Sequence, residues 1–372
     1  MTHQFKSTTL TFIVKLLKAS DCSLDLLALG ECMIRLSPPG HQRIELTPLF
    51  EAYAGGGEYN VAYALARYGL RTGWVSRLVD NPLGQFIRNH ARGSGMDLSE
   101  VLWVPYDGSG RADRIGLNFT EVGSGVRASV SLYDRGHTAV AHMKSGEIDW
   151  HRIFNARKVR WFHTGGIFTA LSDSCADVAL ESMKAAHEAG AIVSYDLNFR
   201  SKLWPSSKAI EVTRKLVGFV DLLFGNEEDF QKVLGFAVEG TEEQLRSLPV
   251  ESYKAMVRRV VQTYPHLQAI GTTLREVVSG SVNNWSALLY SADRFYESRR
   301  YENLEIEDRV GGGDGFCSGL IYGLLNGMSL QECVDLGAAH GALLQTTRGD
   351  TSMVTMEETV RLARGGNARI IR

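Results

Sequence analysis

Short apolar runs alternate along the chain with stretches in which apolar residues recur every three or four positions. The runs predict β-strands at residues 26–29, 73–79, 159–163, 191–195, 220–224 and 268–271. Helical spacing appears between several of them, as at Val61, Leu65 and Tyr68. Strands that alternate with helices are typical of a largely parallel sheet covered by helices on both faces. Because no internal repeat or Ser/Pro-rich linker interrupts the pattern, we expect one α/β domain over residues 24–372.

One region departs from this alternation and repeats with a period of two residues. In residues 114–120 and again in residues 126–132, every second side chain is apolar. The Gly-rich segment 121–125 between these runs predicts the turn of a β-hairpin. Residues 123–128 also fit a loose GxGxxA dinucleotide pattern, but that pattern should open a helix and here it leads into a strand. We therefore expect this hairpin to form a small separate sheet.

Composition and charge argue against several classes of function. The chain has 372 residues, of which 44% are hydrophobic, and its 40 Lys and Arg against 42 Asp and Glu leave a formal net charge of −2. A nearly neutral chain has no long-range field for nucleic acid or for an anionic membrane surface, so we expect neither as a partner. No stretch is apolar over the roughly 18 residues that a membrane span needs. Walker A, HExxH, GxSxG and protein-kinase signatures are also absent from the sequence.

The cysteines and the N-terminal segment bear on location. The five cysteines form no CxxC pair, and an odd number without a framework is typical of a reduced, cytoplasmic protein. Residues 1–23 contain a short apolar run broken by Lys15 and Lys18, without the long apolar stretch and the cleavage site of a signal peptide. We expect these residues to form an extension outside the main fold.

The strongest candidate for chemistry is the string DRVGGGDGFCSG at residues 308–319, which follows a strand-like stretch and opens an apolar helix. Gly311, Gly312 and Gly313 at a helix start would present backbone N–H groups to a phosphate, and the helix dipole would add to the attraction. Asp314 would repel a phosphate, but it is well placed to accept the proton of a hydroxyl that attacks one. The competing interpretation is a plain Gly-rich turn in which Asp314 caps the helix.

This string resembles the C-terminal motif of the PfkB, or ribokinase-like, carbohydrate kinases, usually written DTxGAGDxFxxG. Two positions depart from it: Arg309 stands where the family commonly has Thr, and Gly312 where it has Ala. The resemblance implies a ribokinase-like three-layer α/β/α sandwich with a small β-sheet lid, which we expect at residues 35–50 and 108–140. It further implies a sugar kinase that uses ATP and Mg²⁺. It also implies that Asp314 is the catalytic base and that Gly311, Gly312 and Gly313 form the anion hole over the γ-phosphate.

The N-terminal half contains a segment that resembles the first motif of the same family. Gly56, Gly57 and Asn60 match positions at which glycines and an asparagine line the sugar pocket. Small residues before a helix let a polyol approach the backbone, and the Asn60 amide offers both donors and an acceptor. A tight strand–helix turn without a ligand is the alternative interpretation.

Two further segments resemble the metal and nucleotide motifs of the family. Asn226 begins a match to the NxxE motif that orders Mg²⁺, with Asp229 where Glu is usual, which implies that Asp229 acts on the metal through a water. A capping box at a helix start is the alternative. Thr273 and Arg275 follow a strand where the family contacts ATP, so the nucleotide would be bound by Asn226, Thr273, Arg275, Gly311 and Gly313.

The choice of sugar follows from a resemblance to the 2-keto-3-deoxygluconate kinases within this family, carried by Tyr133, Arg135 and Arg200 among other positions. An acidic sugar needs a cation for its carboxylate, and arginine supplies a bidentate one. Taken singly, each arginine is more often a solvated surface residue. Asn118 stands where related kinases can carry Tyr, which bears on the epimer. The implied substrate is 2-dehydro-3-deoxy-D-gluconate, phosphorylated at O6, with Gly56, Gly57, Asn60, Asn118, Tyr133, Arg135, Arg200 and Asp314 around it.

Two alternatives stay open at this stage. The substrate could be a neutral ketose such as fructose or a nucleoside, or the chain could be a non-catalytic sugar-binding regulator that kept the fold. An intact Asp314 and glycine loop argue against the regulator, since a binding protein has no physical need for a base there. An exposed apolar face on the lid predicts a homodimer through the lids. The resemblance leaves open whether a monovalent cation is also required.

Overall fold

The computed structural model describes residues 16–237 and 250–366. The predicted N-terminal extension comprises residues 1–23, and its residues 1–15 lie outside the described residues. Its described part, residues 16–23, contains a 3-10 turn at Ala19–Asp21. Within the described ranges, no helix combines the length and the apolar character needed to cross a membrane.

Fourteen strands occur in the described residues, and they form two sheets. They are β1 (Leu26–Leu29), β2 (Met33–Ser37), β3 (Glu51–Gly55), β4 (Thr72–Asp80), β5 (Val101–Pro105), β6 (Leu117–Glu121), β7 (Val130–Asp134), β8 (Trp161–Gly165), β9 (Ile192–Asp196), β10 (Leu222–Phe224), β11 (Ala269–Val277), β12 (Val282–Ser291), β13 (Arg294–Glu297) and β14 (Tyr301–Glu305). The main sheet has ten strands in the order β13-β12-β11-β10-β9-β8-β1-β4-β5, with β14 beside β12. From β11 to β5 the neighbours are parallel, and β12, β13 and β14 add an antiparallel edge.

Helices cover both faces of the main sheet and produce the three-layer α/β/α sandwich that the resemblance implied. They are α1 (Gly57–Arg67), α2 (Pro82–Gly93), α3 (Gly166–Thr169), α4 (Asp173–Glu188), α5 (Ser206–Leu216), α6 (Glu227–Asp229), α7 (Val250–Thr263), α8 (Gly312–Leu325), α9 (Leu330–Leu344) and α10 (Met356–Ala363). One apolar core joins the sheet to α4, α5 and α7, and a second joins its other face to α1, α8 and α9. Central strands such as β1 and β8 are buried along their whole length because both of their faces are covered.

All six strands predicted from apolar runs are present, with differences at their ends. The predicted strand at residues 159–163 is observed at Trp161–Gly165, because Val159 makes only an isolated bridge to Leu24. The predicted strand at residues 268–271 continues to Val277 as β11, because β12 pairs with it in antiparallel register along that whole length. Apolar runs therefore located the strand cores, whereas pairing partners determined where the strands end.

A second sheet of four strands, in the order β3-β2-β6-β7, forms the lid. The predicted hairpin is observed as β6 and β7, in which Asn118 lies opposite Tyr133. Its tip, residues 122–129, is longer than the predicted turn, because Ser124 and Arg127 close it with two backbone hydrogen bonds of 3.0 and 2.9 Å. Val126 is therefore exposed at the tip instead of lying in a strand. The remaining strands are β2, which overlaps residues 35–50, and β3, which follows them.

Candidate active site

A cavity of about 440 Å³ opens between the carboxyl ends of the parallel strands and the lid. Residues from both sheets line it, and they include every position singled out from the sequence. These are Gly56, Gly57, Asn60, Asn118, Tyr133, Arg135, Arg200, Asn226, Asp229, Thr273, Arg275, Gly311, Gly312, Gly313 and Asp314. The carboxyl ends of parallel strands are where open α/β sheets place their ligands.

Asp314 lies in the first turn of α8 and lines the cavity. Its Oδ2 accepts a hydrogen bond of 2.7 Å from Nδ2 of Asn60, whose own Oδ1 accepts from the N–H of Gly56 at 3.2 Å. Burial raises the pKa of the Asp314 carboxyl to about 7, and the hydrogen bond from Asn60 opposes that rise. A carboxylate with this pKa can hold a proton reversibly near neutral pH, as a general base must.

The glycine loop before α8 leaves its backbone accessible. Gly311 adopts a left-handed conformation with φ of +85°, and a Cβ there would lie 2.7 Å from the carbonyl oxygen of Asp350. A Cβ on Gly313 would meet no atom within 4 Å, so the cavity is open at that position. The first N–H groups of a helix have no partner within the helix, and together with the helix dipole they attract anions. The loop is thus built to approach an anionic group.

The lid end of the cavity carries the arginines predicted to hold a carboxylate. Arg135 pairs with the buried Glu31, its guanidinium lies 5.5 Å from the ring centre of Tyr133, and its Nε has no hydrogen-bond partner among the described residues. Arg200 donates from Nη1 to the carbonyl oxygen of Phe199 at 3.0 Å and forms no ion pair within the described part of the chain. Arg200 therefore has no direct ion pair, although its positive charge lowers the pKa of the Asp196, Asp229 and Asp314 carboxyls, whereas Arg135 is paired directly with Glu31.

Asp229 takes part in a capping box, which the sequence offered as the alternative to a role at the metal. Its Oδ2 accepts from the N–H of Asn226 at 2.9 Å, while Oδ1 of Asn226 accepts from the N–H of Asp229 at 3.0 Å. The other oxygen, Oδ1 of Asp229, accepts from the N–H of Phe199 at 2.8 Å. Both carboxylate oxygens thus accept hydrogen bonds from backbone N–H groups, and only their remaining lone pairs are available to a water.

The residues around the nucleotide end are suited to Mg²⁺ that arrives with a polyphosphate. Across residues 16–237 and 250–366, no group of three or more His, Cys, Asp and Glu side chains could hold a metal ion by itself. The carboxyl groups of Asp196, Glu227 and Asp229 nevertheless line the cavity. Mg²⁺ typically takes one or two carboxylates and completes its shell with waters and substrate phosphates, which this oxygen-donor set fits.

Sequence reasoning missed a buried ion-pair cluster beside the glycine loop, formed by Arg35, Asp308 and Asp350 and called here the Arg35 cluster. Nη2 of Arg35 lies 2.6 Å from Asp308 Oδ2, and Nη1 lies 2.7 Å from Asp350 Oδ1. All three side chains are at least 95% buried. Arg35 is on lid strand β2, whereas Asp308 and Asp350 flank α8 and α9, so the cluster joins the lid to the anion loop. The partners are 273 and 315 positions apart, and no local pattern signals them.

Two buried glutamates near the sugar end were also missed. Glu58, on α1, is 3% exposed, its Oε2 has no hydrogen-bond partner among the described residues, and burial raises its pKa to about 7. Glu31 balances Arg135. The signal for Glu58 was its position directly after the glycines of the first motif, which does not distinguish a core carboxyl group from a site residue. Glu31 was among the positions that carry the resemblance to the 2-keto-3-deoxygluconate kinases, which assigned it no role.

His340 has the structural role that a lone histidine on an Ala/Gly helix suggests. It is fully buried, its Nδ1 lies 2.9 Å from Ser318 Oγ and its Nε2 2.7 Å from Ser352 Oγ. Burial lowers the pKa of the imidazole to about 3, so it is neutral at physiological pH. His340 is a hydrogen-bonded core residue and does not line the cavity.

Comparisons with known proteins agree with this geometry. The profile of the pfkB family carbohydrate kinases matches residues 23–356. A 2-dehydro-3-deoxygalactonokinase from Haloferax volcanii is 32% identical over 348 residues, which cover 94% of this chain and 99% of that protein. A 5-dehydro-2-deoxygluconokinase from Geobacillus thermodenitrificans is 27% identical, with 90% and 91% coverage. The crystal structure of a 2-dehydro-3-deoxygluconokinase from Thermotoga maritima superposes with a TM-score of 0.85 at 37% identity, covering 92% of this chain and 100% of that one.

Proposed function

The chain belongs to the pfkB family of carbohydrate kinases, and we propose that it phosphorylates 2-dehydro-3-deoxy-D-gluconate at O6. Kinases of this family use ATP and Mg²⁺. The observation that carries the proposal is one cavity that holds a base of raised pKa, a glycine loop for phosphate and two arginines for a carboxylate. The similar proteins named above act on deoxy keto sugar acids by their names, which supports an acidic substrate here.

In the proposed reaction, Asp314 accepts the proton of the attacking hydroxyl. The hydroxyl oxygen forms a bond to the γ-phosphorus of ATP, the bond from that phosphorus to the β,γ-bridging oxygen breaks, and ADP leaves with the electron pair. Asn60 holds the Asp314 carboxylate through its 2.7 Å hydrogen bond and so fixes the direction of proton transfer. A Cβ on Gly57 would lie 3.9 Å from Asp314 Oδ1, so the glycine leaves room for the sugar beside the base.

The anion loop stabilises the charge that develops during transfer. The N–H groups of Gly311, Gly312 and Gly313 at the start of α8 would donate to the transferred phosphoryl oxygens. Mg²⁺, when bound, supplies charge neutralisation of the phosphates, and Asp229 would contact it through a water. Thr273, Arg275 and Asn226 would contact the nucleotide, since they line the same end of the cavity.

Arg200 and Arg135 would hold the substrate carboxylate in different ways. Arg200 has no ion-pair partner among the described residues, so its guanidinium is available for a bidentate contact to a carboxylate. Arg135 would share its guanidinium between Glu31 and the substrate. Asn118 and Tyr133 lie opposite each other on the lid hairpin and would contact sugar oxygens.

The Arg135–Glu31 pair favours the competing substrate class, a neutral ketose such as fructose, because it neutralises one of the two cations. A nucleoside acceptor is the remaining kinase alternative. In an acid kinase, Arg200→Ala should lower kcat/KM by about 100-fold or more, as expected for the loss of a charge-assisted contact of roughly 3 kcal/mol. In a neutral-sugar kinase the same substitution should lower kcat/KM by less than about fivefold.

A coupled ADP-release assay with Mg²⁺ and ATP tests the proposal directly. The acceptors are 2-keto-3-deoxygluconate, its galactonate epimer, gluconate, fructose, ribose and adenosine, each assayed with K⁺ and with K⁺ replaced by Na⁺. Turnover confined to the keto-deoxy acids, and lost in Asp314→Asn, supports the proposal. Turnover only with a neutral sugar would overturn the acid assignment. If the protein bound a sugar but turned over none of the acceptors, the kinase proposal would be wrong and the interpretation as a sugar-binding regulator would be favoured.

We further propose that the protein forms a homodimer through the outer face of the lid. The inner face carries Asn118 and Tyr133, while the opposite face carries apolar side chains, of which Leu132 is 50% and Val130 42% exposed. Apolar patches of this kind on a small sheet mark protein interfaces.

We also propose that the protein works in the reducing cytoplasm. All five cysteines lie within the described ranges, and all are buried and unpaired. Disulfides are common in proteins of oxidising compartments, whereas free buried thiols are typical of proteins in a reducing one. Cell fractionation followed by immunodetection checks this, and recovery in an extracytoplasmic fraction would contradict it.

A further inference from the structure

Two arginines at the nucleotide end of the cavity lack any acidic partner in the part of the chain that the structure describes. Arg275 lies on β11, and Arg309 lies two residues before the left-handed Gly311 of the anion loop. Both line the cavity. Arg309 is also the position at which the chain departs from the Thr that its family commonly has. Arg275 is exposed and Arg309 is half-buried, so solvent screens only part of the repulsion between these two neighbouring cations, and an anion bound between them would offset the rest.

The contacts of Arg309 leave part of its guanidinium unused. Nη2 donates to the carbonyl oxygens of Ser279 at 2.6 Å and Gly280 at 3.2 Å. Nε is buried and has no hydrogen-bond partner within the described ranges. Burial and the positive charge of Arg275 both lower the pKa of Arg309. The side chain thus has a buried donor to satisfy and a like charge beside it, and a multiply charged anion would compensate both.

The turn that Arg309 holds is also the place where the lid tip touches the main domain. The N–H of Gly280 donates to the carbonyl oxygen of Gly125 at 2.5 Å, and the N–H of Gly125 donates to Ser281 Oγ at 3.5 Å. A Cβ on Gly280 would lie 2.4 Å from the carbonyl oxygen of Arg127. The turn at residues 279–281 therefore contacts Arg309 on one side and the hairpin tip on the other.

We propose that Arg309 binds the terminal phosphates of the nucleotide and, by holding the turn at residues 279–281, makes nucleotide binding stabilise the docked lid tip. Arg309 donates its unused N–H groups to phosphate oxygens next to the anion loop, while Nη2 keeps the turn in place. The proposal rests on the kinase function proposed above only in taking the ligand to be a nucleoside triphosphate. It does not depend on which sugar is phosphorylated.

Calorimetry with two nucleotides tests the phosphate contact without any sugar present. Arg309→Thr, which restores the common family residue, should weaken binding of the Mg²⁺ complex of AMP-PNP about tenfold or more and change AMP binding less than about twofold. The affinity of Arg309→Lys for AMP-PNP should lie between those of the parent and of Arg309→Thr, because lysine keeps the charge but lacks the planar guanidinium. Arg294→Thr, which removes the same charge from an exposed side chain on β13 outside the cavity, is the matched control and should bind both nucleotides as the parent does.

If Arg309→Thr lost affinity equally for AMP and AMP-PNP, or lost affinity for neither, the proposed contact between Arg309 and the terminal phosphates would be wrong. Failure of the parent protein to bind AMP-PNP would overturn it as well. If the parent turns over no sugar acid but the AMP-PNP loss in Arg309→Thr is observed, the proposed substrate is wrong and this inference stands.

Limited trypsin digestion tests the link to the lid, since Arg127 in the hairpin tip is a cleavage site that mass spectrometry can follow. AMP-PNP should slow cleavage after Arg127 about fivefold or more in the parent, whereas AMP should not. The protection should be lost in Arg309→Thr and in Gly280→Ala, whose Cβ would displace the tip. Full protection of Arg127 in both variants at saturating AMP-PNP would contradict the link.

Discussion

The pKa of Asp314 depends on influences that act in opposite directions, and the charges of Asp350 and Arg200 add smaller, opposing effects. Burial raises it to about 7, and the hydrogen bond from Asn60 to the carboxylate lowers it. Since a base works only when unprotonated, kcat/KM for the sugar at saturating Mg²⁺–ATP should rise with pH through a midpoint near 7 and level off above it. Asn60→Ala removes the donor that favours the charged form, so the midpoint should move up by about one unit. The measurement is the pH profile of both proteins.

Asn118→Ala is the control for this profile, because Asn118 lines the cavity and its amide oxygen contacts Thr120 instead of Asp314. It should lower kcat/KM without moving the midpoint. A midpoint that stays in place in Asn60→Ala, or that moves equally in both variants, would contradict the assignment of Asp314 as the titrating base.

Single residues were predicted from the sequence where their neighbours in the chain define the site. The glycine loop and Asp314 are consecutive, so the string at residues 308–319 was sufficient to identify them. The pairing of Arg135 with Glu31 joins residues 104 positions apart, and the sequence offered no reason to match them. Arg135 was therefore predicted as a cation available to the substrate, whereas the structure shows that a carboxylate already balances its charge.

At the scale of elements, the Arg35 cluster joins strand β2 of the lid to the loops that flank α8 and α9. One cation holds two buried carboxylates, so Arg35→Met would leave both charges uncompensated. We expect a loss of about 3–5 kcal/mol in the free energy of unfolding, measured by urea denaturation. Arg43→Met is the control: Arg43 pairs with Glu121, but its side chain is 44% exposed, and the loss should stay under about 1 kcal/mol. Similar losses in the two variants would contradict this account.

Helices α8 and α9 pack closely because glycines face each other along their contact. A Cβ on Gly319 would lie 2.8 Å from Cα of Gly337 and 2.9 Å from the carbonyl oxygen of Leu336. Both neighbours are backbone atoms that cannot move aside, so Gly319→Ala should destabilise the protein by about 1–3 kcal/mol through overpacking. Urea denaturation measures this, and a loss of catalytic activity should accompany it, because α8 carries Asp314.

Gly93, in the last turn of α2, is the matched control for Gly319. A Cβ there would meet no atom within 4 Å, so Gly93→Ala should be neutral or stabilise the protein by up to about 1 kcal/mol through helix propensity. If Gly319→Ala were as well tolerated as Gly93→Ala, close approach of the helices would not be the reason for the glycine.

For the whole molecule, periodicity was sufficient to predict the layers but not the outlines of the lid. Alternating strands and helices fixed a parallel sheet covered on both faces, because each element buries its own apolar side. The lid strand β3 carries only Ala54 as a buried apolar residue and pairs with β2 across a loop of 13 residues, so its place depends on tertiary pairing. The hairpin tip likewise follows from a bridge between Ser124 and Arg127, not from its alternating pattern.

The outer face of the lid gives a prediction about assembly. Ala52, Leu36, Phe119 and Leu132 form one row across the four strands, on the face opposite Asn118 and Tyr133. Two such faces would bury each other in a symmetric dimer, so light scattering should give twice the chain mass of 41.1 kDa. Leu132→Lys would place a charge in that contact and should weaken the dimer about 100-fold or more. Met353→Lys, at an exposed apolar residue outside the lid, should leave the mass unchanged. A parent protein that is monomeric at assay concentration would refute the dimer, and dissociation by both variants would show that the lid is not its interface.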